Sequence, residues 1–345
     1  MRATVDRAGL DPQGRLPKVQ VRRVRKGDLS RVRDVMEQTF ADFLERQIGT
    51  RPRQAFGGAQ YVHHRWLMEP WGCFVAEEDN AKIVGAALAV LWGTVGLAGP
   101  VAVLTSYQNQ TIGQQLLKAV QDFFEENKAT MLGVVTYPTS PKHLFLFHKF
   151  GYRPKGLTAV MSRQLERRDP KTLTARPARV PTGAVIRRYS TLEEAKKKAA
   201  LVRLRKVTNS LCRGMDVSKE VEIVDGLALG DTLLLERGRD LVGFAVYHTP
   251  GVSEAPLGAV YVKFLGIDPA HRKPEYLEQF IAAFEDLGQE LGVQRVILPV
   301  YLRYWNAYST LIKCGYQIDF TMVRMQRGKP EDFEDPTHLV LDDWR

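Results

Sequence analysis

The chain has 345 residues, 44% hydrophobic and 26% charged, a globular composition long enough for about two domains. Lysine and arginine exceed aspartate and glutamate by 49 to 39, a formal net charge of +10 that favours anionic partners: a phosphorylated cofactor, an acidic substrate or nucleic acid. No run of 18 apolar residues is present to span a membrane, and the first residues lack the apolar core of a secretory signal. Cys73, Cys212 and Cys314 have neither disulfide-framework nor zinc-ligand spacing, so a cytoplasmic protein without a metal is expected.

Residues 1–18 read as a loose tail. A strand at residues 19–24, "VQVRRV", precedes a helix that Asp28 is placed to cap and that runs to about Gln47, with Val32, Val35, Met36, Phe40, Phe43 and Leu44 on one face. An irregular stretch follows, with a short helix near residues 61–67. Three strand-like runs come next: "GCFVAEE", "KIVGAALAVLWGTV" and "GPVAVLTSY", the first two joined by a hairpin turn at residues 79–82. The turn "SYQNQTIG" opens a helix with Leu116, Leu117, Val120, Phe123 and Phe124 at core spacing. Then follow a short strand, "MLGVVTY", and a helix, "HLFLFHKF", closed by Gly151 in the left-handed conformation. The order β-α-(α)-β-β-β-α-β-α-β predicts an α/β fold with a mixed sheet flanked by helices. A strand that turns tightly into a helix brings ligands, and anions in particular, to that helix's amino end.

The pattern repeats. "AVIRRY" at residues 184–189 again precedes a helix, and "CGY" at 314–316 matches "FGY" at 150–152. Val21 to Phe150 is 150 − 21 = 129 positions, and Ile186 to Cys314 is 314 − 186 = 128. Two tandem domains are therefore expected at residues 19–165 and 184–327. A linker rich in Pro, Arg and Thr joins them at 166–183, and an irregular C-terminal tail fills 328–345, where Leu339, Leu341 and Trp344 can dock on a domain.

The run "GPVAVLTSYQNQTIGQQLLKAV" resembles motif A of the GNAT superfamily of acetyl-CoA-dependent N-acetyltransferases, Gln/Arg-x-x-Gly-x-Gly/Ala, which falls here on Gln108, Asn109, Gln110, Thr111, Ile112 and Gly113. "HLFLFHKFGYRP" resembles the superfamily's motif B, and the two halves together resemble a tandem GNAT arrangement. The resemblance implies acetyl-CoA as cofactor, its pyrophosphate on the backbone amides of residues 108–114, Gln114 included. It further implies pantetheine along the strand edge Val103, Leu104 and Thr105 where strands four and five splay, with an amide near Leu104 polarising the thioester carbonyl. Thr111 stands where the motif has its first glycine; with helical dihedrals it would add a methyl and a hydroxyl without blocking the amides.

The second half departs further. Glu275 and Leu277 take the motif glycine positions beside Pro274, which has no N–H, so this half is expected to bind no acetyl-CoA. The resemblance also implies direct attack by a neutral amine. Phe147 occupies the position where many members carry a tyrosine acid; His148, Tyr152 and water are the alternatives, and the catalytic acid and base stay unassigned. The acceptor site is expected around "QYVHHRWLMEP", with Tyr61 and His64 as candidates, since only one of His63 and His64 can face a cleft. The expected acceptor is an amine on a small molecule, with a peptide amine as the alternative. Two other readings stay open: an acyl-CoA-binding sensor or scaffold without turnover, and a basic nucleic-acid-binding protein.

Overall fold

A computed structural model describes residues 18–52, 55–166, 183–328 and 331–345. Nearly all of the expected tail 1–18 and linker 166–183 therefore lies outside the described residues. The chain divides into two compact units, one of residues 18–56, 65–90 and 98–128, the other of residues 57–64, 91–97 and 129–345. This is a partition by packing, whereas the repeat is a partition by similarity, and the two do not coincide. No helix among the described residues is long and apolar enough to cross a membrane.

In the first unit, β1 (Val19–Arg23) pairs antiparallel with β2 (Phe74–Glu78), and β2 with β3 (Ile83–Trp92), Phe74 lying opposite Ala87. β4 (Val95–Val103) follows β3 in the sheet. Helix α1 (Leu29–Ile48) buries Val32, Val35 and Met36. Helix α3 (Ile112–Glu126) lies on β1 and β2 and buries Ile112, Leu116, Leu117, Val120, Phe123 and Phe124, the face expected from their spacing. Gly85 of β3 makes room for this packing: a Cβ there would fall 3.1 Å from a methyl of Leu116.

Asp28 does precede α1, but its side chain caps nothing in that helix. It accepts instead from the Arg25 amide (2.8 Å) and the guanidinium groups of Arg22 (2.6 Å) and Arg31 (2.7 Å). The expected second strand also ends earlier. Gly93, at φ 63°, and Thr94 turn the chain after Trp92, and β4 begins at Val95.

The second unit contains the short amino end of β4, then β5 (Met131–Thr136), β12 (Gln317–Gly328), β6 (Arg153–Gln164), β11 (Arg295–Tyr301), β10 (Ala259–Ile267), β9 (Asp240–His248), β8 (Gly230–Arg237) and β7 (Ala184–Arg188) in that spatial order. β4 with β5 and β10 with β11 are parallel, and the other pairs are antiparallel. The helices of this unit are α4 (Pro141–Lys149), α5 (Glu194–Leu211), α6 (Ser218–Gly226), α7 (Pro274–Glu290) and α8 (Trp305–Lys313). Helix α2 (Tyr61–Met68) passes from the second unit to the first between His64 and Arg65. Gly151 closes α4 at φ 84°, as expected. The C-terminal segment is not irregular: Val340–Asp342 form β13, antiparallel to β10, and Leu339, Leu341 and Trp344 are buried.

Candidate acyl-CoA site

β4 leaves the sheet at Leu104, whose amide donates to the Val84 carbonyl (2.9 Å). A single 3-10 turn at Thr105–Tyr107 leads into the motif A stretch. The turn is held from two sides. Thr105 Oγ1 donates to Asp42 of α1 (2.8 Å), and the buried Tyr107 donates to Glu78 (3.0 Å) while accepting from Lys82 (3.2 Å). Gln108 folds its side chain back onto the Val103 carbonyl (2.9 Å), and Ile112 is buried.

Between the anchors Tyr107 and Ile112, the backbone takes the left-handed conformation twice, at Asn109 (φ 66°) and at Thr111 (φ 63°, ψ −2°). Thr111 therefore does not have helical dihedrals, the condition under which it would merely add a methyl and a hydroxyl. It adopts the conformation that glycine would take freely at this motif position, and a β-branched residue does so only under strain. Asparagine tolerates the left-handed region better than most residues, which suits it to position 109. Such strain persists where the surroundings over-determine it, and here Asp42, Glu78 and Lys82 fix one side while the buried Ile112 fixes the other.

A left-handed residue directly before a helix gathers successive N–H groups into one concavity, and the first N–H groups of a helix have no intrahelical acceptor. Gln114 and Gln115 already donate to the Thr111 carbonyl, which leaves the amides ahead of them, at Ile112 and Gly113, for an outside acceptor. Thr111 is exposed, and the first turn of α3 contains no acidic residue. An anionic diphosphate fits this environment. Val103 and Gly113 are half-buried, and Gln110 spans the turn by donating to the Ser106 carbonyl (3.3 Å). The Leu104 amide is spent in the β3–β4 ladder and is not itself the carbonyl-polarising donor.

The equivalent turn of the second half is built differently. Pro269–His271 form the matching 3-10 turn and α7 starts at Pro274, but no residue from 268 to 277 is left-handed. Glu275 is exposed in the first turn of α7, where it places a carboxylate at the helix's amino end. Leu277 is buried in the core face of that helix, so its side chain does not crowd the turn.

The two acceptor-site candidates, Tyr61 and His64, are both closed off from solvent. Tyr61 is buried and His64 is fully buried in the second unit, with His64 Nε2 2.8 Å from Glu220, Nδ1 3.8 Å from Glu254 and its ring edge-on to His248. Glu220 also accepts from the Trp92 indole (3.3 Å), so the imidazole belongs to a core polar cluster rather than to a cleft. His63 is half-buried, with Nδ1 2.9 Å from Gln60 Oε1. Phe147 is buried against Tyr152 (ring centroids 6.0 Å), Tyr152 is fully buried, and His148 is exposed.

Residues 69–154 match the family model of the acetyltransferase (GNAT) domain. No curated protein matches the chain in sequence. Among solved structures, the chain is similar to a candidate acetyltransferase of Pyrococcus horikoshii (14% identity, 94% of this chain and 95% of that one, TM-score 0.63). It is similar as well to a GCN5-related N-acetyltransferase of Sphaerobacter thermophilus (13%, 94% and 99%, TM-score 0.58). A tandem GNAT protein from the clavulanic acid biosynthesis pathway shares 12% identity over 90% of this chain and 98% of that one, with a TM-score of 0.56. Identities this low speak for the fold alone, and the fold agrees with the family model. The chain has the fold of tandem GNAT proteins, and its residues 69–154 match the superfamily's acetyltransferase domain.

Proposed function

We propose that the protein is an acetyl-CoA-dependent N-acetyltransferase whose cofactor site is the turn at residues 108–114. The observation that carries this reading is Thr111, left-handed at the head of α3, where the amides of Ile112 and Gly113 that follow it can receive an anion. Acetyl-CoA supplies an activated acyl thioester; the chain supplies position and charge stabilisation. The amides of the turn hold the diphosphate. Because successive residues of a strand face opposite edges, the Leu104 amide faces β3 and the Val103 amide faces the other way, where it can donate to the thioester carbonyl.

The acceptor is an amine, which is charged near neutral pH and must lose a proton before it attacks. The buried Phe147 and Tyr152 cannot protonate the leaving thiolate, and the exposed His148 sits in solvent. A thiol with a pKa near 8.5 departs with water as the proton source. A small-molecule amine is the acceptor class in this reading, with a peptide amine second.

Titration calorimetry with coenzyme A and with adenosine tests the reading. One site that adenosine does not fill and that Gly113→Trp abolishes in a folded variant is expected; unchanged affinity in that variant moves the site elsewhere. The absence of a side-chain proton donor at Phe147 favours a second reading, an acyl-CoA-binding sensor. It would show as coenzyme A binding with no thiol release from acetyl-CoA across a panel of amines.

A further inference from the structure

The two halves repeat with the same register. β4 pairs with β5 over Val95–Leu97 and Met131–Gly133, and β10 pairs with β11 over Ala259–Tyr261 and Arg295–Ile297, each 164 positions further on (259 − 95, 295 − 131). The same offset takes Leu104, which donates to Val84, to Asp268, which donates to Val242 (2.8 Å), and the 3-10 turn at Thr105–Tyr107 to that at Pro269–His271. The edge of β10 beyond Tyr261 is therefore the counterpart of the edge of β4 beyond Leu97.

On β10 that edge is taken. The Ile267 amide, counterpart of the Val103 amide, donates to the Leu339 carbonyl (3.2 Å). Val340, Leu341 and Asp342 then pair with Gly266, Leu265 and Phe264, and the Asp343 amide donates to the Lys263 carbonyl (3.1 Å). At the other end, Arg272 of the turn that corresponds to motif A binds the Asp335 carboxylate (3.0 Å) and the Thr337 hydroxyl (2.5 Å). An acidic group at the turn followed by an extended amide chain along the strand is the layout of a diphosphate followed by pantetheine.

The occupant is also locked in place. Asp342 accepts from Arg324 at 2.8 and 2.9 Å, both side chains being fully buried, and the Arg324 guanidinium lies 3.2 Å from the centroid of the Trp344 ring. The fully buried Lys263 ammonium donates to Glu254 (2.9 Å) and to the Arg345 main-chain carbonyl (2.9 Å).

We propose that the second half keeps an acyl-CoA groove whose permanent occupant is the chain's own segment 335–343, so that the protein binds one acyl-CoA per chain, in the first half. This rests on the cofactor reading above for the first half but not for the occupancy of β10. Two measurements separate them. In calorimetry with coenzyme A, one site in the wild type and none in Gly113→Trp are expected; two sites, or one surviving in that variant, overturn the proposal. In native-state hydrogen exchange without ligand, the Ile267 and Asp343 amides are expected to exchange within roughly tenfold of the β9–β10 ladder amides, unchanged by saturating coenzyme A. Exchange more than roughly a hundredfold faster, or a change on adding coenzyme A, overturns it. If the wild type binds no coenzyme A, the cofactor reading fails and the exchange result alone decides occupancy.

Discussion

Thr111 takes the left-handed conformation at the position where the motif has a glycine. The turn needs a left-handed residue before α3, and the chain supplies it with threonine at φ 63°. A non-glycine residue in that region costs about 1–2 kcal/mol, and glycine's extra freedom when unfolded returns up to about 1 kcal/mol of that. Thr111→Gly is therefore expected to stabilise the protein by about 0.5–1 kcal/mol in urea unfolding while coenzyme A affinity is kept; destabilisation would mean that the threonine methyl or its contact with Gln115 outweighs the strain. The sequence displays the substitution but not the conformation, because backbone dihedrals at a single position are set by the anchors on either side, Tyr107 and Ile112. His248 is a second case. Burial pushes its imidazole down to about 4, against the opposing pull of Glu254, with His64, Glu220 and Lys263 also facing it. The unfolded imidazole takes up a proton near pH 6.5 and the folded one only near pH 4, so this contribution is complete above pH 6.5 and is lost as the pH falls, by at most about 3 kcal/mol. His248→Gln should flatten the stability profile between pH 6.5 and 4.5. An unchanged slope would assign it to another group. Asp343, raised by its burial, contributes with the opposite sign.

Elements with an amphipathic repeat and a local stop were legible: α3 has its expected core face, α4 ends at Gly151, and the hairpin between β2 and β3 sits at residues 79–82, where the Glu78 amide donates to the Lys82 carbonyl (2.9 Å). Elements defined by a distant partner were not. The turn at Gly93 and Thr94 is fixed by the Gly214 carbonyl, which accepts from the Thr94 amide at 2.9 Å, and β13 is three residues long and exists only against β10. Asp28 belongs to the same class, since a local rule for helix caps could not foresee Arg22 and Arg31 as its partners. Arg22, on β1, also pairs with Glu77 of β2, so one carboxylate ties the first strand pair to the start of α1, and the Arg22 bond holds its pKa below the usual aspartate value. Asp28→Ala leaves a mostly buried guanidinium short of a partner and is expected to lower stability by about 2–3 kcal/mol, read from the urea midpoint at constant slope. A loss below about 0.5 kcal/mol would show that Glu77 alone suffices.

For the whole molecule, both halves follow the same register of strands, yet the left-handed turn ahead of the helix is built in the first half and not in the second. The sequence already separated them at Pro274 and Glu275, which deprive the second turn of a donor and add a charge. What it could not show is that α2, β3 and β4 each pass from one compact unit to the other, because packing units are contiguous in space and not in sequence. This has a thermal consequence. Residues 108–114 lie wholly in the first unit, so a ligand held there stabilises that unit by mass action, about 2.7 kcal/mol at a hundred times Kd. If heating resolves two transitions, coenzyme A should raise the one that belongs to the first unit and leave the other in place, and Gly113→Trp should abolish the shift. A single transition that rises with coenzyme A would mean that the units melt together. A shift confined to the second unit would place the ligand on that unit instead, against both the exposed Glu275 and the chain segment already paired along β10.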